Sequence, residues 1–344
     1  MSRRRSQSPP SRAAPAARRS QSTAVLGADS EAPSYPTLTS IQRFAVKGLS
    51  SDRLPFASLV PQAGLPNDRR FAFIFARAVP LLKENQWLHK QNFVSAFASS
   101  KTVAGLLSSF DDATSALCVW RRTKKGRGAL LLKADLSRLE GRDSASAFFS
   151  DAIGEHVELV DGADTHQFGN TNQGVKASGE LRTLHIVNAN TVRALERVAG
   201  VPIDPRRFRP NLVIDGIPAW EEFEWVDTAE VRVGTSAKLR IIGRTVRCSG
   251  VHRSAEVQPG HGGAGDDGGE LDIVHCLSSH FPEHGPYLGV YAQTVEGGEI
   301  AVGDRLEVCP RRAASRRHGE SVAKYAIAFI VLALLWHAIM WSRK

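Results

Sequence analysis

The stretch Asp204-Pro-Arg-Arg-Phe-Arg-Pro-Asn-Leu-Val-Ile-Asp-Gly216 sets cationic fork donors and an amide directly against an apolar strand-like run. A second segment, Arg244-Thr-Val-Arg-Cys248, ends another strand-like run with a guanidinium and the thiol of Cys248. A third, Tyr287-Leu-Gly-Val-Tyr-Ala292, leads into Val295-Glu-Gly-Gly-Glu-Ile-Ala-Val-Gly-Asp304. Guanidiniums hold oxyanions bidentately, and a thiolate is a soft metal ligand. Arg207, Arg209, Asn211 and Cys248 beside β-rich segments therefore suit an anionic group combined with a soft metal.

Working outward, short strands punctuated by turns dominate. Ile41–Val46 reads as a strand, and Leu65-Pro-Asn-Asp68 carries turn chemistry. Ala116–Trp120 and Ala129–Lys133 read as a hairpin around Lys124-Lys-Gly-Arg-Gly128. Ser144–Ile153 has helical spacing, and Leu184–Asn188 reads as a strand. Thr191 then caps a helix that stops at Gly200. Two or three strands fill Val231–Val246, with turns at Gly234-Thr-Ser236 and Gly243. Leu271–Phe281 reads as a short helix, and Gly297-Gly298 as a hairpin turn between the last strands.

The chain has 344 residues and a formal charge of +9, carried by its ends. Residues 1–34 hold six arginines against Asp29 and Glu31, and residues 305–344 hold eight Lys/Arg against Glu307 and Glu320. The remaining body is near neutral, which argues against nucleic acid as the partner. Residues 1–34, rich in Arg, Ser and Pro, are expected to be a disordered tail. Such a start is also compatible with an organellar transit peptide, although Pro9, Pro10 and Pro15 oppose an amphipathic helix. Four cysteines, none in a C-x-x-C pair, point away from a disulfide framework.

After a basic linker at 311–324, residues 325–341 contain no Asp, Glu, Lys or Arg. As a helix they span about 26 Å, close to the minimum for a bilayer core, with Tyr325, Trp336 and Trp341 as interfacial anchors. A single-pass C-terminal anchor is expected, with the body in the cytosol. The short span and the basic Ser342-Arg-Lys344 end favour the mitochondrial outer membrane over the endoplasmic reticulum. The insertion Val257–Gly269 lacks the Lys-Ser/Thr that would complete a phosphate loop and reads as a surface loop. The series Cys276, His280, His284 could share a helical face, but it is not an established zinc spacing.

These segments resemble the MOSC domain, the module named after the C-terminus of molybdenum cofactor sulfurases. Phe44-Ala-Val-Lys-Gly-Leu-Ser50 and Gly64-Leu-Pro-Asn-Asp-Arg-Arg-Phe-Ala72 resemble the β-barrel half that precedes it. The amidoxime-reducing component and its bacterial counterparts are similar in function. The resemblance implies a β-rich α+β fold: an N-terminal β-barrel domain at 35–175 packed on a MOSC β-barrel at 176–310. It implies a molybdenum cofactor (Mo-molybdopterin) with Cys248 as metal ligand and catalytic residue. Cofactor contacts carry over to Lys47, Gly48, Arg69, Thr191, Arg209, Asn211, Arg247 and Tyr291. The implied activity is reduction of small N-hydroxylated substrates, with electrons from a b5-type haem protein and its flavin reductase. The alternative is a non-catalytic, membrane-tethered cofactor carrier or sulfur-transfer module in which Cys248 holds sulfur. Two departures stand out: Ser249-Gly-Val-His-Arg-Ser254 replaces the Thr-x-Val-Asp-Pro type of run common in relatives, and Leu288 stands where relatives often carry Cys.

Overall fold

A computed structural model describes residues 35–83, 87–95, 98–162, 168, 182–251 and 271–310. The expected N-terminal tail, the insertion at 257–269, the linker at 311–324 and the anchor at 325–341 lie outside them. Among the described residues no helix is long and apolar enough to cross a membrane.

Fifteen strands and four helices follow in order among the described residues. They are β1 (Thr37–Arg43), β2 (Asp52–Leu54), β3 (Phe56–Leu59), β4 (Phe71–Phe75), α1 (Ser100–Ala104), β5 (Leu106–Asp111), β6 (Ala116–Thr123) and β7 (Gly126–Asp135). Then come α2 (Leu139–Ile153), β8 (Val157–Asp161), β9 (Leu184–Asn188), α3 (Ala189–Ala199), β10 (Leu212–Asp215), β11 (Ala229–Val233) and β12 (Ala237–Val246). The last are α4 (Ile273–His280), β13 (Tyr287–Glu296), β14 (Gly298–Ala301) and β15 (Leu306–Pro310).

Eight strands form one sheet in the order β15-β11-β12-β13-β9-β10-β1-β2. It curls until β1 meets the start of β15. Leu38 N–H donates to Asp304 O at 2.8 Å, Gly303 N–H to Leu38 O at 2.7 Å, and Leu306 N–H to Pro36 O at 2.8 Å. The bridge pairs Thr37 with Arg305. Closing the sheet in this way satisfies edge groups that would otherwise be left unpaired. Breaks in register between Leu38 and Ser40, Ile241 and Gly243, and Arg244 and Val246 supply the extra bend. Gly243, expected as a turn, thus sits inside β12 as part of a bulge.

Leu38, Ile41, Ala57, Leu59 and Leu65 pack in the same core as residues 184–306, so the expected boundary near residue 175 is crossed by the first strands. A second core lies around β4–β8, the sheet β5-β6-β7 and α2, with Phe73 and Phe149 in ring contact at 4.1 Å. β4 (Phe71-Ala-Phe-Ile-Phe75) is buried throughout because it has a core on each side: Phe71, Phe73 and Phe75 serve one, Ala72 and Ile74 the other. Such a strand reads as a continuous apolar run, without alternation.

The parallel pair β9 and β10 is joined through α3. Asn188, not Thr191, caps this helix, accepting from Asn190 N–H at 3.0 Å, and Gly200 closes it at φ +70°. The hairpin β6–β7 forms as expected, turning at Lys124-Lys125, and α4 starts where the Asp272 carboxylate accepts from His275 N–H. Gly297-Gly298 does not make a hairpin: β14 pairs with β3. A Cβ at Gly297 would sit 2.7 Å from Leu59 O, so the glycine permits the close approach of β3.

Candidate functional site

A cleft of about 190 Å³ opens between the barrel and the β4–β8 body. Its floor is built from the start of β9, the end of β12, the middle of β13 and the turn after the 3-10 helix Pro205–Phe208. Its far wall is the loop Lys47-Gly48 and the segment carrying Lys90 and Ser95.

The loop is held by close packing. Gly48 has φ +83°, and a Cβ there would stand 2.4 Å from Val94 O. Only glycine lets the two backbones touch. Beside it, Lys47 is buried, donates from Nζ to Phe168 O, and lies 5.2 Å from the Phe93 ring centroid. Burial first, then the charges of Arg69, Arg209 and Lys90, lower its pKa to about 7.

Arg69 and Arg209 both adopt left-handed backbone, at φ +50° and +55°. Their guanidiniums flank the buried Phe44 ring, with Cζ at 4.7 and 4.1 Å from its centroid. Arg209 Nη1 donates to Leu49 O at 2.8 Å. Arg69 pairs with Asp68 and donates to Asn211 Oδ1 at 3.1 Å and Arg209 O at 3.0 Å. Cation–π contact and backbone acceptors thus orient two guanidiniums side by side despite like charge.

Asn211 lines the cleft, but its amide serves the fold. Its Oδ1 accepts from His185 N–H at 3.0 Å and from Arg69, and its Nδ2 donates to Gln42 O at 3.1 Å. It ties β9 to the end of β1 and aims Arg69.

Arg247 closes the other side. Nη2 donates to Phe208 O at 2.8 Å and Nη1 lies 3.4 Å from His185 Nε2. His185 stands opposite Tyr291 in the β9–β13 register, with ring centroids 5.8 Å apart. Burial, then Arg247 and Arg69, push the His185 pKa well below its ordinary value, so the ring is neutral at pH 7. A neutral ring can accept from Arg247, which only donates. Burial also lowers the Arg247 pKa.

Cys248 sits at the mouth and is exposed. Its Sγ is 2.9 Å from Lys90 Nζ. Burial of part of the side chain would raise its pKa, but Lys90, the Gly250 N–H and Arg247 outweigh it, and the net shift is downward.

Eight of the nine residues carried over by the resemblance therefore line one cleft, Lys47, Gly48, Arg69, Arg209, Asn211, Arg247, Cys248 and Tyr291, and Arg207 lines it with them. Thr191 does not. Its hydroxyl donates to the buried Glu222 at 2.8 Å and accepts from Trp220 N–H at 2.9 Å, inside the barrel core. The cleft also contains residues the sequence did not mark: His185, Lys90, Thr183 and Thr245. His185 had a signal, since a lone ring amid Leu184–Asn188 in a strand buried on both faces must find polar partners. Lys90 had none; it reaches Cys248 across 158 residues of sequence. No group of His, Cys, Asp or Glu able to hold a metal ion occurs among the described residues, and the Cys276–His284 series forms none.

The fold and site define a curled β-barrel protein with an arginine-rich anion cleft and a thiol at its mouth. Residues 165–307 match the family model described as MOSC domain, a family associated with molybdenum cofactor binding. Two solved structures are similar. One is the YUAD protein from Bacillus subtilis, at TM-score 0.34 and 11% identity over 80% of this chain and 97% of that one. The other is YiiM from Geobacillus stearothermophilus, at TM-score 0.28 and 16% identity over 38% of this chain and 56% of that one. No curated protein matches the chain.

Proposed function

We propose that the cleft holds a molybdenum–pterin cofactor and that the protein is an oxidoreductase removing oxygen from small N-hydroxylated substrates. The observation that carries this reading is the charge of the lining. Lys47, Arg69, Lys90, Arg207, Arg209 and Arg247 line the cleft with no Asp or Glu among the described lining residues, and the Cys248 thiol stands at the mouth. The residues fit such a group. Arg247 Nε and Thr245 Oγ1 are buried with no partner among the described residues, and a polar ligand would satisfy both.

Lys47, Arg69 and Arg209 would grip the terminal phosphate, Arg247 and Thr245 the pterin, and Cys248 the metal. When bound, the molybdenum centre supplies two-electron removal of an oxygen atom from the substrate. The chain itself orients the group through the Phe44-flanking guanidiniums, lowers the pKa of the thiol through Lys90, and holds His185 neutral beside Arg247. Electrons would arrive from a b5-type haem protein and its flavin reductase.

The test is metal and pterin analysis of the purified protein together with turnover of benzamidoxime under an added reducing system. Cys248→Ala should abolish turnover and leave the fold intact; full turnover in that variant refutes the ligand assignment. The exposed, acidified thiol of Cys248 favours a second reading, transient carriage of sulfur. A persulfide on Cys248 detected by mass spectrometry, without molybdenum or turnover, would select it. We further propose that residues 325–341 tether the body to the mitochondrial outer membrane. Extraction by alkaline carbonate would remove that proposal.

A further inference from the structure

A second and larger cleft, of about 670 Å³, lies back to back with the first. Two chain segments contribute residues to both clefts. Lys47 and Gly48 line the first cleft, and Ser50 and Ser51 line the second. Arg207 and Phe208 line the first, and Asp204, Pro205 and Arg206 line the second. Asn211, in the first cleft, bonds through Nδ2 to the backbone of Gln42, whose side chain accepts from Ser51 Oγ at 2.8 Å in the second.

The second cleft is basic on its outer side. Arg122 and Arg127 face each other directly across the hairpin β6–β7, a like-charge pairing that is unfavourable in isolation. Arg127 lies over the Trp120 ring at 4.0 Å, which keeps its guanidinium at the surface. Arg53 is exposed on the edge strand β2 below them. Lys124 and Lys125 extend the same charge onto the exposed turn, beyond what one small anion would cover. Further in, Arg193 is already paired with Asp215 and Arg206 with Asp204. A protruding basic rim around a mixed-charge floor is the charge pattern of a protein docking site, where electrostatic complementarity sets on-rate and register.

We propose that this cleft and the β6–β7 tip dock the acidic face of the electron-donating protein, delivering electrons through the segments that line both clefts to the cofactor side. The inference rests on the reductase reading. It accounts for the position of the basic tip, which the first cleft does not use.

The test uses the full-length protein, a soluble b5-type haem domain as donor, and reduced methyl viologen as a small donor. In Arg122→Glu/Arg127→Glu the KM for the haem domain should rise at least tenfold and lose most of its salt dependence, while turnover with reduced viologen stays within twofold. Because Arg127 packs on Trp120, a milder variant, Lys124→Gln/Lys125→Gln in the exposed turn, should raise that KM severalfold. Carbodiimide should cross-link Lys124 or Lys125 to carboxylates of the haem domain. An unchanged KM in both variants, or cross-links mapping elsewhere, overturns the proposal. If viologen supports no turnover even in the wild type, the reductase reading fails. Binding and cross-linking of the haem domain then decide the docking surface separately. Loss, in these variants, of binding to anionic phospholipid vesicles or to RNA, with haem-domain binding unaffected, would assign the surface to those ligands instead.

Discussion

Lys47 offers a measurable consequence of burying a lysine among other cations. Its pKa falls from the ordinary lysine value of 10.5 to about 7, chiefly through burial and then through Arg69, Arg209 and Lys90. Above pH 10.5 the group is neutral in both folded and unfolded chains and contributes nothing. Between 10.5 and 7 the unfolded chain keeps a proton that the folded one releases, so stability decreases as pH falls, by about 1.4 kcal/mol per pH unit. The cost reaches about 5 kcal/mol at pH 7 and is constant below it. Lys47→Met keeps the length of the side chain and removes the charge. It also loses the bond to Phe168 O, worth about 1 kcal/mol. Cofactor-free Lys47→Met should therefore be more stable than wild type by about 4 kcal/mol at pH 7, by about 2 kcal/mol at pH 8.5, and slightly less stable at pH 10.5. Urea unfolding at the three pH values measures this. The same variant should purify with less pterin. Equal pH dependence in the two proteins would refute the electrostatic account of this site.

Four further outcomes follow from the same geometry. Arg209→Ala should weaken cofactor retention by roughly 1.5–3 kcal/mol, read as pterin content after dialysis, because it removes a charged donor aimed by Leu49 O and Phe44. Gly48→Ala meets both positive φ and a Cβ 2.4 Å from Val94 O, so it should cost about 2 kcal/mol or more in thermal unfolding. Lys90→Met should slow alkylation of Cys248 by iodoacetamide at pH 7, since the ammonium that holds the thiolate is gone; an unchanged rate would mean that Arg247 and the Gly250 N–H suffice. Glu222 is buried against Asn188 and Thr191, and burial raises its pKa. Its ionisation in the folded state is therefore penalised as pH rises above the ordinary carboxylate range, and Glu222→Gln should flatten the decline of stability with rising pH in urea unfolding at pH 5–8.

Local chemistry accounts for the parts of the fold that were legible. The Asn188–Gly200 helix, the β6–β7 hairpin and α4 each carry their stop signals within a few residues. The misread positions are those where a distant partner decides. Gly243 looks like a turn until Tyr291 is placed opposite it, which makes it part of a bulge. Gly297-Gly298 looks like a hairpin, but β14 has a partner, β3, some 240 residues earlier in the chain, and the glycines exist to admit it. Thr191 has the residue type of a ligand contact, yet the buried carboxyl of Glu222 claims its hydroxyl. Asn211 shows the converse. It lies in the cleft as the motif implies, and its amide is spent on Gln42, His185 and Arg69. Its contribution to binding is the aim it gives to Arg69.

The curl of the barrel explains why these groups converge. Closure by Thr37 and Arg305 joins β1 to β15 while β1 pairs with β10, and the end of β1 carries the chain into Phe44, Lys47 and Gly48 against the Arg209 turn. The anchoring cations therefore come from residues far apart in sequence. Among the described residues, Asp68 is the carboxylate bonded to Arg69 of the Lys47, Arg69 and Arg209 cluster. It also accepts from Phe44 N–H at 2.9 Å, so its charge is shared with the backbone it positions. Burial, and then the neighbouring charges of Arg69, Arg209 and Lys90, lower the pKa of Lys47. A dianionic ligand reverses that balance and draws a proton onto Lys47 as it binds. Fold stability and ligand occupancy are thus coupled through the same lysine: as pH falls toward 7 the cofactor-free fold loses stability, and a bound anion restores it.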